Sequence, residues 1–108
     1  MNDLSICFSN DQLHRITDQA MIYMCACPAQ VARQVLNLRE LFDYQRTCAV
    51  KDHRMMQVHA RIAESAARAH AELERCLDEV LDLEGWDRAT LTMPAGLREL
   101  RDQAIENE

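Results

Sequence analysis

The chain predicts an all-α protein, an antiparallel helical bundle of three main helices plus a short C-terminal helix. Three observations lead there. Apolar residues recur with the helical period over long stretches. Only two glycines and two prolines interrupt 108 residues. Alternating runs of Val, Ile and Thr, which would mark strands, are missing. Residues 1–108 read as a single domain, large enough for a modest core.

After an extended lead-in over residues 1–8, Ser9 and Gln12 have the spacing of a capping box. Phe8 and Leu13 stand where a hydrophobic staple would place them. The first helix is therefore expected over about 10–25, with Leu13, Ile16, Ala20, Met21, Tyr23 and Met24 inward. Pro28 opens the second, and the residue before a proline avoids helical geometry, so Cys27 should lie outside it. The second helix, about 28–48, buries Val31, Val35, Leu38, Leu41 and Phe42 and turns Arg39, Glu40, Asp43 and Arg46 mostly outward.

Neither glycine nor proline separates helices two and three. The poor helical triplet Val50-Lys51-Asp52 favours a short turn near 49–51 with Asp52 as cap. One continuous helix of more than fifty residues is the alternative.

The third helix, about 52–84, organises the rest. Met55, His59, Ile62, Ala66, Ala69, Leu73, Cys76, Val80 and Leu83 alternate in steps of four and three. Met56, Ala63, His70 and Leu77 widen that face. Arg54, Arg61, Arg68 and Arg75 recur every seventh residue among acids, as a solvated, charge-paired face would have them. Gly85 supplies the left-handed cap. A connector follows, and Pro94 opens a short helix over about 94–105.

A third helix about 50 Å long would outrun a second of about 30 Å. Its far half would then expose Leu73, Cys76, Leu77, Val80, Leu81 and Leu83. Apolar surface of that extent needs a cover, and a two-fold homodimer along the third helix is the economical one. The alanines between Ala60 and Ala71 permit close helix approach. With only five aromatics, the core must be aliphatic, which also favours burial against another subunit.

Net charge is −6, and eleven of the twelve bases are arginine. That balance argues against nucleic-acid binding, and no basic membrane-surface face or transmembrane-length run is found. The N-terminus lacks the features of a signal peptide. Five cysteines, an odd number at irregular spacing, then suggest reduced thiols in a cytoplasm.

Two readings of function stand. The first is a small non-catalytic interaction or regulatory module that self-associates through the third helix and uses no cofactor. The sequence has no Gly-rich phosphate loop, nucleophile elbow or Ser/His/Asp grouping. The second is a soft-metal or thiol redox sensor. Cys27 would meet a helix N-terminus, which favours a thiolate, and Cys25, Cys27, Cys76 and His70 could gather at one end of the bundle around zinc or Cu(I). The spacing of the cysteines is not the usual zinc spacing, and small buried cysteines satisfy the same pattern. At the other end, His59 is expected to hydrogen-bond Gln45 or a backbone carbonyl.

Overall fold

The computed structural model describes residues 4–22, 27–51 and 53–94. These contain α1 (Asn10–Ile22), α2 (Cys27–Lys51) and α3 (Met56–Glu84), with a single 3-10 turn at His53–Met55. No strand occurs among the described residues. The nearest thing to one is an isolated antiparallel bridge between Asp87 and Thr92 in the loop after α3. Most of the helix expected over 94–105 falls outside the described residues.

The capping box is present. Gln12 N donates to Ser9 Oγ at 3.0 Å and Ser9 N to Gln12 Oε1 at 2.8 Å. Phe8 and Leu13 are buried in the same core cluster, completing the staple. Cys27, expected outside α2, is its first residue, a boundary shift of one position. Pro28 sits in the first turn, where its missing N–H leaves no bond unmade.

At its other end α2 runs to Lys51, past the turn expected near 49–51. Each added helical residue brings one more hydrogen bond, and nothing between Cys48 and Lys51 forbids it. Met55 holds the N-cap position of α3 without a side-chain cap bond, and Asp52, expected as the cap, lies outside the described residues. Gly85 closes α3 as expected, left-handed at φ 76° and ψ 31°. Its N–H reaches Asp82 O at 3.1 Å and Trp86 N reaches Leu81 O at 3.0 Å, the paired bonds of a Schellman motif. Trp86 and Leu81 are both buried in one core cluster, so the motif also directs the chain back onto the bundle.

These boundaries overturn the overhang. α2 has 25 residues and α3 has 29, about 37 and 43 Å at the helical rise. They pack antiparallel, with Arg39 against His70 and Gln45 against His59, so α2 accompanies α3 along nearly its whole length. The short element is α1, 13 residues or about 20 Å.

The molecule is consequently an elongated body of 60 × 25 × 18 Å with two unlike ends. At the base, Leu13, Ile16 and Ala20 of α1 meet Ala32 and Val35 of α2 and Leu77 and Leu81 of α3. The loop after α3 adds Trp86, Leu91 and Met93, and Met93 N donates to Gln19 Oε1 of α1 at 3.3 Å. A smaller cluster of Phe42, Ala63 and Ala66 lies midway, with Leu4 against it. Beyond Phe42 the described residues are an arm of two helices and the turn joining them.

Candidate functional site

Where the base meets the middle, three segments converge on one buried guanidinium. Arg39, expected to face outward, is only 7% exposed. Its Nε donates to His70 Nε2 at 3.0 Å, Nη1 to Asn10 Oδ1 at 2.5 Å, and Nη2 to Phe8 O at 2.5 Å and Glu74 Oε2 at 3.0 Å. Glu74, 2% exposed, also accepts the backbone N–H groups of Cys7 and Phe8 at 2.9–3.1 Å. The N-terminal segment is thereby strapped onto α2 and α3 by an ion pair in which Arg39 makes four hydrogen bonds.

His70 is fully buried, and its protonation follows from these bonds. Because Nε2 accepts from Arg39, the proton of the neutral ring sits on Nδ1, which faces Glu74 Oε1 at 3.6 Å. Burial holds its pKa below the ordinary value and the Arg39 charge pushes the same way, while Glu74 opposes them. The node has the residue types of a catalytic grouping, but its imidazole lone pair is occupied and its carboxylate is saturated by donors. Its chemistry is structural.

The same bonds bear on the residues singled out for a soft metal. His70 Nε2 is committed to Arg39. Cys27 is exposed at the start of α2, Cys76 is half-buried on α3, and Cys25 lies outside the described residues. Among the described residues no three His, Cys, Asp or Glu side chains are gathered as a metal ion would require. The expected partnership of His59 with Gln45 is present, Nδ1 to Oε1 at 2.7 Å.

The candidate self-association residues divide. Leu77 and Leu81 are fully buried by this chain's own α1, α2 and terminal loop, so they offer no surface. Leu73, Cys76 and Val80 are half-buried, and Leu83 is 86% exposed. The buried ridge of α3 is Ala63, Ala66, His70, Glu74, Leu77 and Leu81, rotated about one position from the stripe counted in the sequence. The rotation leaves an apolar band down the length of α3, in which Ile62, Leu73, Cys76 and Val80 are half-covered and Ala69 and Leu83 exposed. Over its first half the band borders an open groove between α3 and α2, lined by Leu38, Leu41, Ile62, Ser65 and Ala69 with Arg61 at the rim.

The arm adds exposed apolar surface at its tip. Tyr44, Val50, Met55, Met56 and Val58 are each between 45% and 74% exposed. No helix of the described residues is long and apolar enough to cross a membrane. No family model, curated protein or solved structure matches the chain.

Proposed function

We propose that this chain is a non-catalytic helical interaction module that self-associates through α3. The observation carrying this reading is the band from Ile62 to Leu83, apolar at every helical step yet half covered at Ile62, Leu73, Cys76 and Val80 and exposed at Ala69 and Leu83. A monomer gains nothing from an aliphatic row left at the water boundary. A second helix laid against the row would bury it together with Leu38 and Leu41 of the groove. The chemically richest cluster, Arg39–His70–Glu74, is spent on fixing the N-terminal strap, which leaves the band as the surface with work to do.

Sedimentation equilibrium over a wide concentration range tests the reading. The wild-type chain should pass from monomer to dimer, and Ile62→Glu combined with Ala69→Glu should hold it monomeric with unchanged helicity. Both positions border the groove without being fully buried, so a charge there spares the core. A wild-type chain that stays monomeric throughout, or a dimer indifferent to both substitutions, contradicts the proposal.

A further inference from the structure

We propose that the second copy docks antiparallel, about a two-fold axis beside Ala69 and His70 of α3, so that the arm of each copy lies on the base of the other. This arrangement presupposes self-association through α3 and specifies its direction and its polar contacts.

The net charge of −6 is unevenly spread along the molecule. From Tyr44 to Ala63 the bases are Arg46, Lys51, Arg54 and Arg61, against the single acid Asp52. From Glu72 to Arg88 there are seven acids against Arg75 and Arg88; Arg88 pairs with Asp78 and Asp82, and Glu74 with Arg39, which leaves Glu72, Glu79, Glu84 and Asp87 to give this end its negative balance. Antiparallel packing of α2 on α3 does not even out the charge at the arm, because it brings Arg46 and Lys51 to the same end as Arg54 and Arg61.

This distribution also opposes helix stability. Acids favour a helix N-terminus and bases its C-terminus. α3 has no acid in its first turn, no base in its last, and Asp82 and Glu84 where bases would help. Within the chain Arg88 meets Asp78 and Asp82, and Trp86 Nε1 donates to Glu84; for Glu72 and Glu79, an antiparallel copy of the same helix is the complement.

The register follows from the residues beside the apolar band. Arg61 and Arg68 precede residue 70, while Glu72 and Glu79 follow it, and all four are exposed. Arg61 and Glu79 are equally far from residue 70, as are Arg68 and Glu72. A two-fold axis there sets Arg61 against Glu79 of the second copy and Arg68 against its Glu72, each pair occurring twice. The apolar band centres one residue earlier, on Ala69, whose small side chain lets the helices approach, with Ile62 and Cys76 each seven residues from it. The present partners of Arg68 and Glu72, Glu64 and Arg75, are exposed neighbours on the same helix and exchange easily. A parallel dimer would instead stack Arg61 on Arg61 and Glu79 on Glu79.

Charge reversal reads the direction. In sedimentation equilibrium at low salt, Arg61→Glu alone and Glu79→Arg alone should each weaken dimerisation about tenfold, two symmetry-related attractions having become repulsions. The double variant R61E/E79R should return to near wild-type affinity. Single variants that dimerise as well as wild type, or a double variant no tighter than the singles, overturn the antiparallel arrangement while leaving a dimer through α3 standing. A wild-type chain that is monomeric throughout removes both.

Discussion

The base and the arm are built on the same two helices, yet they are held together differently. At the base, α2 and α3 are covered by α1, the N-terminal strap and the loop after Gly85, and Leu13, Ile16, Leu77 and Leu81 are wholly buried. The buried Arg39–Glu74 ion pair ties the three segments to one another. At the arm, α2 and α3 have only each other among the described elements. The side-chain bond of Gln45 to His59 crosses between them there, and Val50, Met55, Met56 and Val58 stay in water. The amphipathic pattern of α3 is as regular in one half as in the other. What differs is the number of elements available to meet it, and the arm therefore depends more on a partner than the base does.

Substitutions at matched positions should separate the two regions, beginning with the polar contacts. Glu74→Ala leaves Arg39 charged, buried and short of its counter-ion, and should cost about 3–5 kcal/mol in urea unfolding. His59→Ala, which removes the bond to Gln45 in the arm, should cost only about 1 kcal/mol. Among apolar truncations, Leu81→Ala in the base should cost about 2–5 kcal/mol, because neighbours packed on every side cannot fill the space. Ile62→Ala, half-exposed at the arm, should cost about 1 kcal/mol at low protein concentration.

Acid should attack the base through His70. Its folded-state pKa is lowered, so below about 6.5 the unfolded chain takes up a proton that the folded chain resists. This contribution is complete above that pH and declines as pH falls toward the lowered value, by at most about 1.4 kcal/mol per pH unit. Urea midpoints at pH 7.5 and 5.5 should differ more for wild type than for His70→Gln, which retains an acceptor for Arg39 without a titrating ring. An equal difference in the two proteins would remove His70 from this role. A similarly small effect is expected at Gly85. Its left-handed backbone disfavours any side chain although the space around it is open, so Gly85→Ala should cost about 1 kcal/mol.

What the sequence made legible was local. The Ser9–Gln12 box, the Phe8–Leu13 staple and the Gly85 cap are each set by residues a few positions apart, and all three are present. The Gln45–His59 bond was within reach because both residues lie on facing apolar rows. The Arg39–Glu74 pair was not. Its partners are 35 residues apart, and counting apolar positions treats an arginine and a glutamate as surface by construction. That omission also explains the rotated face. Drawing Glu74 and His70 inward turns α3 by about one position and brings Ala69 and Leu83 outward. The length of α2 was hidden for a different reason, since no residue after Cys48 actively ends a helix and its extent follows from propagation along α3.

The dependence of the arm on a second copy can be measured directly by native-state hydrogen exchange as a function of protein concentration. Amides of α2 and α3 within residues 45–62 should become more protected as concentration rises through the dimerisation range. Amides of residues 70–84, already covered by α1 and the strap, should change much less. Arm amides whose protection is the same at every concentration would contradict self-association through this face.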